Sequence, residues 1–276
     1  MGVSTISATP GTHSAAPESA TALRLPGGRD GRDPERAIKR GPSRVPREFV
    51  LATQRDRLYD GLVRTVAAHG YANATVTEIC RAAGVTRPAF YEHFDGKEAA
   101  FLAAYSHGTD LLLEALEHAY RKLAADWRTA VWRHLEILLD ILAGTPEFAT
   151  AAIVEIEAVG PEARRKRAEL LYRFRGFFAG APALPAGVDR TALIDTVIGG
   201  VYASIYQRIA SGDAEGLPDL LPALGYFVLV PFGLAAPAVS AVPATPQRSF
   251  ATASEVAQQQ RAALPCMPLF LTPEQS

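Results

Sequence analysis

The stretch TVTEICRAAGVTRPAFYEHFDGK, residues 75–97, constrains the fold of this chain more than any other part of the sequence. Thr75, followed three positions later by a glutamate, predicts a capping box that opens a short helix. Gly84 predicts where that helix ends. Thr86 is a second N-cap residue, and Pro88 falls in the first turn, where its missing N–H does no harm. The stretch therefore predicts two short helices joined by a tight turn.

Longer helices are predicted on both sides of this pair. Apolar residues recur at helical spacing from about Pro46 to Val66, and Gly70 suits the position just past the helix end. Lys97 opens another helix, whose apolar stripe consists of Phe101, Tyr105, Leu112 and Leu116. Three helices, the last two short and tightly joined, form the layout of a helix-turn-helix domain, which we assign to residues 46–96.

The second short helix has two different faces. Phe90 and Phe94 are four residues apart and are expected to point together into a small core. Arg87 and Tyr91 then lie on the outer face, which presents a cation and a phenol to a groove. Ordinary core packing explains the two phenylalanines, but it does not explain why polar side chains crowd the opposite face.

The residues from Arg47 to Tyr105 resemble the DNA-binding domain of the TetR family of bacterial transcriptional regulators. The matching residues are Gly70-Tyr71, Thr75-Val76, Ile79, Ala83-Gly84-Val85-Thr86, Phe90-Tyr91, His93-Phe94 and Lys97-Glu98. The resemblance implies an all-α protein with a short recognition helix, a C-terminal helical domain for effector binding and dimerisation, and a homodimer on double-stranded, pseudo-palindromic operator DNA. It also implies a repressor.

The resemblance and the exposed face together predict the DNA contacts. The expected residues are Thr75, Thr77, Thr86, Arg87, Pro88, Ala89, Tyr91, His93 and Lys97. We expect Thr86, Arg87 and Ala89 to meet base edges. The side chains of Thr75, Tyr91, His93 and Lys97 are expected to hold phosphates. Pro88 departs from the family pattern, and its ring could touch a thymine methyl group instead of donating a hydrogen bond.

The second domain is assigned to residues 97–234. Two apolar helices, at 191–210 and 217–230, suit the family's dimer interface, because both look too apolar for a solvated face. The alternative is that both are buried within one protomer. The expected interface residues are Val197, Val201, Ile205, Leu221, Leu224 and Phe227.

The family also implies an effector pocket in this domain, for a small and mainly apolar molecule of unknown identity. The candidate contacts are Tyr105, Trp127, Glu155, Tyr172, Phe177, Tyr202 and Tyr206. Each could instead be an ordinary core or surface residue. Glu155 lies on a largely apolar helix, and if it points inward it suits a cationic or hydroxylated ligand.

The two ends of the chain are expected to be disordered. Residues 1–45 form an arm without apolar periodicity, which becomes basic from Arg24, and residues 235–276 form a tail rich in Pro and Ala. The arginines of the arm serve either solubility or non-specific contact with nucleic acid. The uncharged run 220–247 is long enough for a membrane span, but five prolines interrupt it, so we predict no membrane association.

Composition and the absence of known motifs limit the other functions that the chain could have. The net charge of −1 places any DNA binding in local surfaces, and two distant cysteines argue against a disulfide framework or a structural zinc site. No catalytic or phosphate-binding motif appears, so we predict no enzyme, cofactor or metal. The chain is expected in the bacterial cytoplasm, at the nucleoid. Two alternative hypotheses remain. The protein could be a helical enzyme or small-molecule carrier, or it could be an architectural DNA binder without an effector pocket.

Overall fold

The computed structural model describes residues 24–29, 46–122 and 126–233, and every regular element in these ranges is helical. The helices are α1 (Arg47–His69), α2 (Val76–Ala83), α3 (Arg87–His93), α4 (Lys97–Lys122), α5 (Trp127–Gly144), α6 (Pro146–Ala149), α7 (Ile156–Val159), α8 (Pro161–Arg173), α9 (Arg190–Ala210) and α10 (Leu221–Leu229). A π-helical turn, Thr150–Glu155, joins α6 to α7, and 3₁₀ turns lie at Phe174–Phe178, Leu217–Leu220 and Val230–Phe232. The predicted all-α fold is confirmed. The predicted tail, 235–276, lies outside the described residues.

The two short helices begin and end where the sequence predicts. The Thr75 hydroxyl accepts a hydrogen bond from the Glu78 amide, and the Glu78 carboxylate accepts one from the Thr75 amide. Gly84 ends α2 in the left-handed conformation, with φ of 61°. Thr86 caps α3 through the Ala89 amide. Side chains close in sequence therefore define both helices of the helix-turn-helix pair.

Helix α1 forms the platform on which that pair rests. The side chains of Ile79 and Phe90 are fully buried in the small core. Arg57 on α1 is also buried, and its Nε donates to the Ala83 carbonyl oxygen at 2.9 Å. A Cβ atom on Gly61 would approach the Ala83 amide nitrogen to 2.7 Å, so α1 and α2 are in close contact at this glycine. Contacts to the α2–α3 turn thus fix α3 relative to α1.

Helices α9 and α10 pack into their own protomer more than the sequence analysis assumed. Val197, Ile205 and Leu224 are buried there, with exposed fractions of 1%, 3% and 4%. Their assignment to a dimer interface was therefore wrong, because buried side chains cannot reach a partner. The other three predicted residues remain accessible: Val201 and Leu221 are half-buried, and Phe227 is exposed.

The N-terminal segment Arg24–Arg29, here called the strap, is ordered against the helices. Leu25 is 1% exposed. The Gly27 amide donates to the Asp60 carboxylate at 2.9 Å, and Arg64 Nε donates to the Gly27 carbonyl oxygen at 2.9 Å. The expectation of a wholly disordered arm was therefore wrong for this segment. The rest of the arm before Pro46 lies outside the described residues.

Two glycines allow the strap to approach the helices closely. Gly27 has φ of 93°, and a Cβ atom on it would lie 2.6 Å from Val63 Cγ1 on α1. A Cβ atom on Gly108 of α4 would meet the Phe148 ring at 2.2 Å and Pro26 Cδ at 3.1 Å. The strap therefore touches helices of both the DNA-binding domain and the C-terminal domain.

No single helix in the described parts of the chain is long and apolar enough to cross a membrane. By length and composition, the pair Trp127–Gly144 and Pro146–Val159 passes the test together, but it is bent by 102°. The described part of the uncharged run 220–247 forms a short helix flanked by 3₁₀ turns.

Candidate nucleic-acid interface and apolar cavity

Helix α3 presents one continuous exposed face. Thr86, Arg87 and Pro88 are exposed at its start, and the Tyr91 side chain one turn later is 51% exposed. Ala89 is half-buried between them. The structure thus brings together the residues predicted to read bases, and each has a surface available to a groove.

The predicted phosphate contacts at the start of α2 are also exposed. Thr75 and Thr77 both lie at the surface, but the Thr75 hydroxyl donates to the Glu78 carboxylate at 2.8 Å. The capping box therefore already uses part of its hydrogen-bonding capacity. Contact between Thr75 and a phosphate stays a prediction.

His93, at the end of α3, is half-buried, and one ring nitrogen lies 3.4 Å from the Gln54 side-chain oxygen. Burial lowers the pKa of His93, and the nearby Arg55 lowers it further. A neutral imidazole would offer a phosphate a hydrogen bond but no charge.

Lys97 has a contact that the sequence analysis did not foresee. Its ammonium donates to the carbonyl oxygens of Tyr71 at 2.6 Å and Ala74 at 2.9 Å, and it lies 4.3 Å from the centre of the Tyr71 ring. Lys97 therefore anchors the loop between α1 and α2 onto α4. Its predicted phosphate contact would have to compete with these carbonyls.

Glu155 lies at the other side of the same loop. Its carboxylate accepts a hydrogen bond from the Tyr71 backbone amide at 2.6 Å, and a Cβ atom on Gly70 would lie 3.5 Å from it. The expectation that Glu155 faces a ligand was wrong, because its carboxylate points to the DNA-binding domain. Lys97 and Glu155 thus hold one loop from two sides, through its carbonyl groups and an amide.

An apolar cavity of about 110 Å³ lies among α4, α5, α8 and α9. Only three of its lining side chains carry polar atoms: Thr109, His134 and Tyr202. The apolar lining residues are Leu112, Leu116, Val131, Leu135, Leu138, Leu142, Phe148, Ala152, Ile153, Leu170, Leu171, Phe174, Phe177, Phe178, Val197, Ile198, Val201, Ile205 and Val228. Such a lining suits a ligand that is mainly hydrocarbon.

The cavity takes in some of the predicted ligand contacts. Phe177 and Tyr202 line it, and Tyr105 lines a smaller pocket that shares Phe148 and Ala152 with it. These three residues are brought together as expected, although no ligand contact is thereby tested.

Three other predicted ligand contacts lie elsewhere. The Trp127 ring packs against Phe178 and Phe232, and its Nε1 donates to the Phe177 carbonyl oxygen at 2.9 Å. Tyr172 is 64% exposed, and Tyr206 is half-buried outside the cavity wall. The sequence pattern failed here because helical periodicity identifies a buried face but not which part of it borders an empty space.

His134 was missed by the sequence analysis. It lies on the cavity wall, with its ring centre 4.6 Å from that of Phe177. Burial is the main cause that lowers the pKa of His134, so the ring is neutral at neutral pH. Its position on an apolar helix face was the available signal.

Comparison with known proteins identifies the helix-turn-helix domain. Residues 58–104 match the model of the family described as bacterial regulatory proteins, tetR family. Residues 58–104 thus form a DNA-binding domain of the TetR type. The described residues hold no cluster of three or more His, Cys, Asp or Glu side chains that could bind a metal ion.

Two relatives of this chain are mycobacterial. The transcriptional regulator EthR of Mycolicibacterium smegmatis is 25% identical over 156 residues, which cover 56% of this chain and 67% of the relative. The transcriptional repressor Rv1474c of Mycobacterium tuberculosis is 38% identical over 63 residues, which cover 23% of this chain and 34% of the relative. The chain thus spans about two thirds of the first relative and about one third of the second.

Solved structures resemble the whole fold. FadR of Bacillus subtilis superposes with a TM-score of 0.55 at 20% identity, and covers 65% of this chain and 98% of its own. FadR of Bacillus halodurans gives a TM-score of 0.56 at 19% identity, and covers 72% and 100%. These likenesses confirm an N-terminal helix-turn-helix domain followed by a helical domain. The relatives are transcriptional regulators, which confirms the prediction of a DNA-binding regulator and not an enzyme.

Proposed function

We propose that the protein is a repressor that binds a pseudo-palindromic operator as a homodimer in the bacterial cytoplasm, and that a small, mainly apolar effector releases it. The observation that carries the proposal is a short segment, 152–155, that lines the cavity at one end and holds the DNA-binding domain at the other. A switch of this kind needs such a connection.

The DNA end of the proposal rests on α3. Its exposed face carries Arg87, which can donate two hydrogen bonds to a guanine, and Thr86 and Ala89, which suit other base edges. Two copies of α3 in successive major grooves would read half-sites about 34 Å apart, or somewhat more. The exposed Tyr91 phenol suits a flanking phosphate.

The effector end rests on the cavity. Its lining is almost entirely hydrocarbon, which suits an apolar ligand. The B. subtilis FadR structure, which shares this fold, was solved in complex with stearoyl-CoA. A ligand with a long aliphatic part is therefore the best candidate here, ahead of a sugar or a nucleotide.

The link between the two ends is the π-helical turn. Ala152 and Ile153 line the cavity, and Tyr202 on α9 donates to the Ile153 carbonyl oxygen at 3.0 Å. Two residues further on, Glu155 holds the Tyr71 amide in the loop between α1 and α2. A ligand that pushes on Ile153 would shift Glu155, and with it the loop that precedes the reading helices.

The dimer would use the remaining apolar surface of the last two helices. Tyr226, Phe227 and Val230 are 61%, 40% and 41% exposed on and just after α10. Two of the expected interface residues, Val201 on α9 and Leu221 on α10, are half-buried on these same helices. Large apolar side chains at the surface are typical of an interface between subunits.

Effector release can be tested with the purified protein and its operator, found by genome-wide mapping of bound DNA. A ligand that lowers operator affinity a hundredfold requires about 2.7 kcal/mol of coupling between the two sites. Glu155→Gln should keep ligand and DNA binding but reduce that coupling, because the neutral amide holds the Tyr71 amide more weakly. Glu162→Gln on α8, whose partner is the surface residue Arg165, is the matched control.

Two results would contradict the proposal. An unchanged coupling in Glu155→Gln would show that the π-helical turn does not carry the signal. If no ligand from a broad apolar panel raises the melting temperature or lowers operator affinity, the protein is an architectural DNA binder without an effector.

A further inference from the structure

Two hydrogen-bond donors near the cavity are buried without an acceptor. The Tyr105 side chain is 4% exposed, and its hydroxyl has no hydrogen-bond partner among the residues that the structure describes. Nε of Arg167 on α8 is likewise buried without a partner among these residues, while the Arg167 side chain as a whole is 27% exposed. Buried polar atoms in folded proteins nearly always find a partner, so two such atoms close together call for a physical explanation.

Both donors lie at one end of the cavity, where burial raises the pKa of Tyr105 and the nearby Arg167 guanidinium lowers it. Tyr105 precedes Thr109 on α4 by one helical turn, and Arg167 precedes Leu170 on α8 by about one turn. Thr109 and Leu170 both line the cavity. Tyr105 itself lines the adjoining smaller pocket, which shares two wall residues with the cavity.

The other polar groups at this end are already engaged. The Tyr202 ring lines the cavity 5.5 Å from the Arg167 guanidinium carbon, and its hydroxyl donates to the Ile153 carbonyl oxygen. The Thr109 hydroxyl donates to the Tyr105 carbonyl oxygen at 2.8 Å. Tyr105 and Arg167 therefore supply the donors that remain at this end of the cavity.

The charge at this end is balanced. Arg167 forms an ion pair with Glu157 on α7, so its positive charge already has a counter-ion. Burial, and to a smaller extent Tyr202, raises the pKa of Tyr105, so its hydroxyl stays protonated and can donate. A second anion here would meet the Glu157 carboxylate, whereas an uncharged acceptor would not.

We propose that Tyr105 and Arg167 bind the uncharged carbonyl oxygen of an acyl compound whose aliphatic chain fills the cavity. This inference rests on the proposed effector site and names the ligand class for it. An alkane would leave both donors without a partner, and a free fatty acid would bring a carboxylate next to Glu157. Esters and thioesters share the required carbonyl group.

The test compares ligands of one chain length on the full-length protein. The probes are methyl decanoate, decanoyl-CoA, decanoic acid and decane, in the same cosolvent, with affinities measured by calorimetry or intrinsic fluorescence at neutral pH. We expect the methyl ester to bind about tenfold tighter than either the acid or decane. Tight binding of decanoyl-CoA as well would identify the thioester as a physiological source, and its failure would favour simple esters.

Tyr105→Phe removes only the hydroxyl. Affinity for methyl decanoate should fall about three- to tenfold, while affinity for decane stays the same. The melting temperature without ligand should not fall, because the change removes an unpaired buried polar group. Tyr206→Phe, a half-buried tyrosine outside the cavity wall, is the control and should alter no affinity.

The possible failures are distinguishable. Equal binding of decane and methyl decanoate, or an unchanged ester affinity in Tyr105→Phe, would overturn the carbonyl inference and leave the effector cavity standing. A lower melting temperature of Tyr105→Phe would also overturn it, since the hydroxyl would then have a partner in the free protein. If none of the four probes binds the wild-type protein, the effector cavity itself is refuted.

Discussion

Gly27→Ala tests whether the strap is held as the structure shows. An alanine at φ of 93° is strained by about 1–2 kcal/mol. Its Cβ would lie 2.6 Å from Val63 Cγ1, an overpacking that costs about 1–3 kcal/mol. Detachment returns about 1–2 kcal/mol of conformational entropy per residue of the strap, so it is the easier way to relieve both penalties. The change should therefore release the strap and leave the helices folded.

A shift of about 2 kcal/mol raises the ratio of detached to docked strap about thirtyfold. Limited trypsin digestion measures it at the Arg24–Leu25 bond, because Leu25 is buried when docked and cleavage follows the open population when opening is fast. Gly28→Ala is the control: its Cβ would meet only the Leu25 carbonyl oxygen, at 3.3 Å, and a few-fold effect is expected. Equal cleavage of Gly27→Ala and wild type at this bond would refute the docked strap.

Three further outcomes are expected. Arg87→Ala should cost about 1–3 kcal/mol of operator affinity and relax the preference at one base pair, and an equal loss on random DNA in gel shifts would refute base reading. Phe227→Asp should convert the proposed dimer to monomers in light scattering at micromolar concentration, and an unchanged dimer would exclude α10 as the interface. Burial lowers the pKa of His134, so the unfolded chain binds the proton first, and the free energy of unfolding should fall as the pH drops below about 6.5. In urea unfolding at several pH values, the free energy of unfolding of His134→Gln should depend less on pH than that of the wild type. The same pH dependence in both proteins would contradict this assignment.

The helix-turn-helix pair was predictable because its signals are local. The capping box at Thr75, the left-handed Gly84 and the N-cap Thr86 each act within four residues, and each was found as expected. The exposed face of α3 followed from the same helical periodicity, with Phe90 inside and Tyr91 outside. Local chemistry thus predicted the limits of both helices and the exposed face of α3, while its contacts with DNA remain predictions.

The connections between the domains were not predictable in this way. Gly27 and Asp60 are 33 residues apart, and Tyr71 and Glu155 are 84 residues apart. No periodic pattern marks such pairs, since each is one hydrogen bond between irregular backbone and a single carboxylate. The strap has a single leucine among proline and glycine residues, which gives no helical or strand periodicity. The sequence therefore predicted that this segment is disordered.

The π-helical turn has a consequence for how this regulator can change its specificity. Most of the cavity wall comes from α5, α8 and α9, while the segment that reaches the DNA-binding domain contributes only Ala152 and Ile153, next to Phe148 on α6. Substitutions on the first set, except at Tyr202, which donates to the Ile153 carbonyl oxygen, can reshape the space for a new molecule without touching the segment proposed to transmit its arrival. A biosensor derived from this chain should therefore be diversified on α5, α8 and α9, with Tyr202 and residues 148–155 kept unchanged.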